Sequence, residues 1–175
     1  MDQIALSYII ELLLTMVLSA FFSGMEIAFV SSNRMLAEMD KEKNALSQRL
    51  INFFYHHPNG FVSTMLVGNN IVLVVYGILF ARIFDSTLFA ELDAGWRVTL
   101  DTILSTLVML FTGEFLPKTF FKSSPNKLLT FFAPLAALFY IILWPISRFS
   151  TFLSRILLRL FGIRIDKSNT EDSFT

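Results

Sequence analysis

Several long apolar segments limit the folds that this chain can adopt. The first covers residues 4–30 and is interrupted only by Glu11 and Glu26, which exceeds the roughly 20 residues that a membrane-spanning helix needs. Two later segments have the same character. The sequence therefore predicts an all-α integral membrane protein with three transmembrane helices, at about 5–30, 61–83 and 98–121.

The composition agrees with a membrane protein. Of the 175 residues, 54% are hydrophobic and only 16% are charged, against roughly 25% charged in soluble domains. The chain has no cysteine, which excludes disulfides and thiolate metal sites. Fourteen basic residues balance fourteen acidic ones, so we expect no nucleic-acid partner.

Residues 128–147 form a further uncharged segment of twenty, and hydropathy alone would make it a fourth crossing. Basic residues concentrate on the cytoplasmic side of short loops. Three crossings put twelve Lys and Arg residues on one side and two on the other, whereas four crossings put seven on each side. We therefore predict three crossings, with the N-terminus outside and the C-terminus in the cytoplasm.

Two amphipathic juxtamembrane segments are predicted on the cytoplasmic side, at 31–57 and 125–162. Within the second, Pro134 and Pro145 are expected to break the helix, because proline lacks the amide hydrogen and clashes with the preceding turn. The pieces between them would dip into the inner face of the membrane or lie along it.

Polar residues at membrane depth indicate where the chemistry lies, because an unpaired polar group costs several kcal/mol in lipid. Three clusters occur, one on each predicted span. They contain Ser19, Ser23, Gly24 and Glu26; Gly68, Asn69 and Asn70; and Thr112, Gly113, Glu114, Pro117 and Lys118.

The third cluster predicts a broken helix. Pro117 has no amide hydrogen to donate to the Gly113 carbonyl, four residues earlier, so a free carbonyl lies beside the Glu114 carboxylate. Membrane transporters use such broken helices to present backbone oxygens to a cation. Carboxylate, amide, hydroxyl and carbonyl oxygens together form the ligand class of Mg²⁺ and Ca²⁺.

Other roles are open for these residues. Glu114 and Lys118 are four residues apart and could neutralise each other at the membrane interface. Asn69 and Asn70 could join helices by hydrogen bonds. Because consecutive residues point about 100° apart on a helix, we expect the two asparagines to have different tasks.

Taken together, three motifs resemble the transmembrane domain of the CNNM/CorC family of magnesium transport proteins. They are SAFFSGMEIA at 19–28, PNGFVSTMLVGNN at 58–70 and GEFLPK at 113–118. Each motif is weak alone, but their order and spacing together are specific. The resemblance covers residues 5–162.

The resemblance implies a homodimer of three-helix domains in a bacterial inner membrane, with a cytoplasmic belt of juxtamembrane helices. It implies a central Mg²⁺ site with Ser23, Asn70 and Glu114 as side-chain ligands and the Gly113 carbonyl completing the shell, with Asn69 as the alternative amide. The expected supporting residues are Ser19, Gly24, Glu26, Gly68, Pro117 and Lys118.

The resemblance also implies a domain organisation and an activity. Residues 1–162 would be the transmembrane domain, and 163–175 a linker toward a CBS-pair module, absent from this sequence, through which ATP would bind. The domain would export Mg²⁺, with Na⁺ as the expected coupling ion. The alternative is an ion-sensing membrane anchor that transports nothing. We expect no enzyme, because no nucleophile–base pair is visible in the sequence.

Overall fold

The computed structural model describes residues 3–33 and 45–162, and the regular structure in these two ranges is entirely helical. The predicted linker 163–175 and most of the first half of the 31–57 segment lie outside the described residues. The helices are α1 (Gln3–Ser31), α2 (Ala45–His56), α3 (Pro58–Ser86), α4 (Ala94–Met109), a π-helix (Leu110–Phe115), α5 (Leu116–Ser123) and α6 (Pro125–Leu160).

The prediction of an all-α membrane protein is confirmed. Four helical stretches in the described ranges are long and apolar enough to cross a membrane, and they are Gln3–Ser31, Pro58–Ser86, Ala94–Ser123 and Pro125–Leu160. The first three contain the predicted spans and extend them by a few residues at their ends. By length and composition alone the fourth is as good a candidate as the others.

The predicted break in the last helix is wrong. Pro134 and Pro145 both lie inside one continuous 36-residue helix, α6. A stripe of buried residues runs along one face of α6 on both sides of each proline, so packing against the rest of the protein holds the helix together despite the missing backbone hydrogen bonds. The stripe consists of Leu129, Ala133, Ala136, Leu143 and Ser147.

Helices α1 and α3 run antiparallel through the centre of the protein. Ser19 meets Asn69 by a hydrogen bond, and further along α1 the ring of Phe29 lies 4.6 Å from that of Phe61. Contact positions therefore rise along α1 as they fall along α3. Helix α4 turns back along α3, where the Tyr76 hydroxyl donates to the backbone carbonyl of Ser105, 3.1 Å away.

The core at one end of this pair is built largely from aromatic rings, and we call it the aromatic core. It joins α1, α2, α3, α5 and α6, and its phenylalanines are Phe21, Phe22, Phe29, Phe54, Phe61 and Phe121. Their rings meet edge-on or tilted, which is the arrangement that the ring quadrupole favours. A smaller core toward the other end contains Tyr76, Phe80 and Met109.

The first half of α6 packs along α1. The ring of Phe21 on α1 lies 5.6 Å from the rings of both Phe132 and Phe139, so it fits between two positions that are seven residues apart on α6. Near the start of α6, the Asn126 side-chain oxygen accepts a hydrogen bond from the backbone amide of Asn33, just after the end of α1, at 2.8 Å. Contact positions therefore rise along α6 as they fall along α1.

Two glycines allow this close packing. A Cβ atom built on Gly24 would overlap the ring of Phe121 on α5, and one built on Gly68 would lie 2.8 Å from Phe22 and 2.9 Å from Leu143. At both positions an apolar side chain from another helix occupies the space that a larger residue would need. These glycines are therefore packing positions in the aromatic core.

Replacing Gly24 with alanine is expected to destabilise the protein. The added methyl group overlaps the Phe121 ring, and overpacking of a well-packed core costs about 1–3 kcal/mol. Thermal unfolding of the purified protein in one detergent measures the effect.

Gly77→Ala is the matched control, because among the described residues no atom lies within 4 Å of its added methyl group. There the higher helix propensity of alanine should stabilise the protein by up to about 1 kcal/mol. Equal unfolding temperatures for the two variants would contradict the packing role of Gly24.

Candidate cation site

The polar centre of the protein is built around the π-helix Leu110–Phe115. Pro117 follows it and cannot supply the regular hydrogen bond to the Gly113 carbonyl. The Leu116 amide donates instead to the Phe111 carbonyl, five residues back, which is the π-helical pattern. Such single-turn π segments are frequent at functional sites, and this one contains both Gly113 and Glu114.

Two hydrogen bonds connect the three spans at this level. The Ser23 hydroxyl donates to the Gly113 carbonyl at 3.0 Å, and the Ser19 hydroxyl donates to the Asn69 side-chain oxygen at 2.7 Å. Ser19 and Ser23 lie one turn apart on the same face of α1. One face of α1 therefore contacts α3 and the π-helix side by side.

Gly113 brings the two hydrogen-bonded pairs together. A Cβ atom at this position would lie 3.2 Å from the Ser19 hydroxyl oxygen and would overlap the sulfur of Met109. Ser19 therefore lies close to the Gly113 backbone as well as to Asn69. Ser19, Ser23, Asn69 and Gly113 form one cluster of oxygen atoms, which we call the polar cluster.

The polar cluster is shielded from the surroundings. Ser19 is 0% exposed, Ser23 is 1% exposed and Asn69 is 8% exposed. Asn70, by contrast, is exposed on the outer face of α3 in the single chain. The structure thus brings Asn69 to the cluster and leaves Asn70 pointing away from it.

Three charged residues lie next to the polar cluster. Glu114 is half-buried on the π-helix, Glu26 is half-buried on α1, and Lys118 is exposed on α5. Glu26 interacts electrostatically with Lys118 and, more weakly, with Glu114. The two carboxylates and one ammonium group make a charged trio beside a neutral oxygen cluster.

The remaining predicted residues have packing positions. Gly24 and Gly68 face the aromatic core, and Pro117 is buried at the start of α5.

This donor set limits what can bind. In the described residues no group of three or more His, Cys, Asp or Glu side chains could hold a metal ion. A cation here would depend on neutral oxygens, namely hydroxyl, amide and backbone carbonyl, supplemented by Glu114 or Glu26. Such oxygen-rich sites suit hard cations rather than zinc or copper.

A second polar contact was not predicted from the sequence. Asp101 is only 7% exposed, and its carboxylate lies close to that of Asp85 near the end of α3, with Arg97 as the nearby positive charge. Among the described residues, one buried oxygen of each carboxylate has no hydrogen-bond partner. Asp101 appears in the sequence as one acid near the end of an apolar segment, a pattern typical of a residue at the membrane interface. Only the approach of α3 to α4 buries it.

Comparison with known proteins identifies the family. Residues 9–175 match the family described as the cyclin M transmembrane N-terminal domain. The chain is 32% identical over 150 residues to the UPF0053 inner membrane protein YfjD of Escherichia coli (strain K12), a match that covers 85% of this chain and 34% of YfjD. It is 31% identical over 176 residues to a UPF0053 protein of Haemophilus influenzae, covering 95% of this chain and 39% of that protein.

A third relative is the UPF0053 protein MG146 of Mycoplasma genitalium, 26% identical over 148 residues, with 80% of this chain and 34% of that protein covered. The chain therefore spans about a third of the length of these curated relatives. The apolar helices and the family match agree with a multi-pass membrane protein. The protein belongs to the CNNM family, through its cyclin M transmembrane N-terminal domain.

Proposed function

We propose that this protein is a Mg²⁺ transporter domain that binds the ion at the polar cluster and exports it. The observation that carries the proposal is the hydrogen bond from Ser23 to the Gly113 carbonyl within a π-helix. A backbone carbonyl aimed at a buried hydroxyl, with a carboxylate on the next residue, is a ready set of oxygen ligands at membrane depth. Family membership supports a role in cation transport.

The proposed ligands are the Ser23 hydroxyl, the Gly113 carbonyl, the Glu114 carboxylate and one asparagine amide. Asn70 is the amide that the motif resemblance implies, whereas burial and the bond to Ser19 favour Asn69. Mg²⁺ demands short octahedral coordination, so a small, tightly packed cluster selects it over the larger Ca²⁺.

The charged trio would balance the ion's charge. Two carboxylates, Glu26 and Glu114, face one ammonium group at Lys118, which leaves a net charge of about −1 when no ion is bound and +1 when Mg²⁺ is present. Lys118 would then lie nearest the carboxylates in the ion-free state and withdraw when the ion enters. Na⁺, moving inward, is the proposed coupling ion.

The proposed topology has three crossings, with the N-terminus outside and the C-terminus in the cytoplasm. The asymmetry of basic residues supports it, because twelve Lys and Arg residues would lie on the cytoplasmic side and two on the other. Under this topology α2 and α6 form the cytoplasmic belt. A second copy of the chain would cover the exposed apolar faces, giving a homodimer.

A membrane anchor that senses Mg²⁺ without moving it is the second candidate. The matching region covers only about a third of the curated relatives, so the remaining two thirds could supply the activity that the domain regulates. In the proposed protein, that remainder includes the ATP-binding CBS pair. Flux measured in proteoliposomes, with Mg²⁺ and Na⁺ gradients set independently, separates the candidates, because an anchor is stabilised by Mg²⁺ but transports none.

Glu114→Gln is expected to abolish Mg²⁺-dependent thermal stabilisation and Mg²⁺ flux. It removes the carboxylate while keeping the shape of the side chain, and loss of a direct ligand should weaken binding at least as much as the roughly 10- to 100-fold seen for outer-shell partners. Ligand-induced stabilisation falls with affinity, so a thermal-shift titration with MgCl₂ detects the change. Glu91→Gln, an exposed acid in the α3–α4 connector, is the control, and equal stabilisation of both variants would refute the ligand assignment.

Asn69→Ala and Asn70→Ala identify the amide ligand. We expect Asn69→Ala to remove most of the Mg²⁺-dependent rise in unfolding temperature and Asn70→Ala to retain it, because only Asn69 is buried at the cluster. The quantity compared is the rise caused by Mg²⁺, since loss of the Ser19 bond lowers the baseline of Asn69→Ala. The reverse result would make Asn70 the ligand.

Lys118→Ala is expected to change the transport rate several-fold while leaving Mg²⁺ binding in place, since Lys118 acts by balancing charge. Paired flux and thermal-shift measurements test this. Lys122→Ala, an exposed lysine on the same short helix, should change neither. Complete loss of Mg²⁺ binding in Lys118→Ala would contradict the charge-balancing role.

A further inference from the structure

A cavity of about 790 Å³ opens between the start of α3 and the second half of α6. It lies outside the polar cluster, about three helical turns before Asn69 on α3. Four basic side chains line it, namely His56, His57, Arg148 and Arg155. None of the described residues that line it is acidic.

The first turn of α3 adds to this positive charge. Pro58, Asn59 and Gly60 line the cavity, and Pro58 begins a 29-residue helix that, in the described part of the chain, has no side-chain hydrogen bond capping its N-terminus. The backbone amides of a first helical turn lack helical partners and carry the positive end of the helix dipole. Basic side chains and an uncapped helix N-terminus thus converge on one cavity.

The basic side chains are held in position. The Nδ1 atom of His56 lies 2.7 Å from the Asn52 carbonyl and that of His57 lies 3.1 Å from the Phe53 carbonyl. A ring N–H must donate to each carbonyl, which leaves Nε2 of each ring to donate to an anion when the ring carries its second proton. The Arg148 guanidinium stacks over the ring of Trp144 at 4.7 Å.

We propose that this cavity binds the phosphate headgroup of an anionic phospholipid. The positive charge selects an anion, and the backbone amides at the α3 N-terminus suit phosphate oxygens. The surroundings select a lipid over a soluble phosphate, because Trp144, Phe149 and Phe152 line the cavity and are 45%, 61% and 58% exposed. Exposed aromatic side chains of this kind lie at the membrane interface, beside acyl chains.

The headgroup would bridge two separate parts of the chain. It would contact the junction of α2 and α3 through His56 and His57, and α6 through Arg148 and Arg155. Among the described residues, Ser63 on α3 and Ser147 on α6 already form a direct hydrogen bond at 3.0 Å. A bound anion offsets the mutual repulsion of the two arginines. The lipid would therefore hold α6 against the start of α3. This inference requires only that the start of α3 lies at a membrane surface, and does not depend on cation transport.

Tryptophan fluorescence tests the proposal at the site itself. The chain has two tryptophans, so Trp96→Phe leaves Trp144, which lines the cavity, as the sole reporter. The protein in mixed micelles is titrated with phosphatidylglycerol or phosphatidylcholine carrying brominated acyl chains, which quench nearby tryptophan. Quenching is expressed relative to the same lipid without bromine.

We expect phosphatidylglycerol to quench Trp144 at far lower mole fraction than phosphatidylcholine. Arg148→Gln with Arg155→Gln should weaken this preference roughly 30-fold, since each basic residue near a lipid surface contributes about a fivefold preference for anionic lipid. Arg159→Gln is the matched control, because this exposed arginine lies on α6 but does not line the cavity. Equal quenching by the two lipids, or equal loss in the control, would overturn the proposal.

Two further arms keep the test decisive. If the double variant does not fold, the preference of the unmodified protein for phosphatidylglycerol is measured at increasing salt concentration. An electrostatic headgroup site must lose affinity as salt rises. A preference that does not depend on salt would refute the proposal. Millimolar inorganic phosphate is added as a competitor. Full displacement of the lipid by phosphate would mean that the cavity takes a soluble phosphate and not a phospholipid.

Discussion

The hydrogen bond from Ser23 to the Gly113 carbonyl is the interaction around which the centre of this protein is arranged. A backbone carbonyl freed by Pro117 is costly in a lipid-facing helix, because no water is available to satisfy it. Turning it toward a hydroxyl on α1 removes the cost and ties the π-helix to the first span. Ser19 and Asn69 extend the link to α3, so the three spans meet at polar groups.

The aromatic core explains how the helices that carry the polar cluster are held in position relative to one another. Large rings from five helices interlock, and Gly24 and Gly68 provide the room for Phe121, Phe22 and Leu143 to approach. Hydrophobic association drives little in lipid, so close van der Waals packing has to supply the association of helices. The same core holds α6 against α1 and α3, despite its two internal prolines.

Charge is distributed at two separate places, with opposite signs. Glu26 and Glu114 lie beside the polar cluster with one lysine, which suits a divalent cation. The cavity at the α3 N-terminus has four basic side chains and suits an anion. Helix α3 connects these two places, because it contributes Asn69 to the polar cluster and its first turn to the lining of the cavity.

Several features were predictable from the sequence because they depend on local patterns. The three spans follow from apolar length, and the distortion near Gly113 follows from Pro117, which removes one amide hydrogen wherever the helix packs. The family resemblance rested on motifs whose order and spacing are visible without coordinates. The continuity of α6 was not predictable, because the buried stripe that holds it together exists only once α1 and α3 are packed against it.

The sequence by itself determined that this chain enters a membrane as helices and that oxygen-bearing groups occur on three of them, since both follow from residue type and position. Tertiary structure alone decided which groups meet. Asn69 and Asn70 are neighbours of the same type, and only the rotation of α3 against α1 buries one and exposes the other. The burial of Asp101 and the gathering of basic groups around one cavity have the same cause, because helix rotation and crossing angle are set by packing between distant segments.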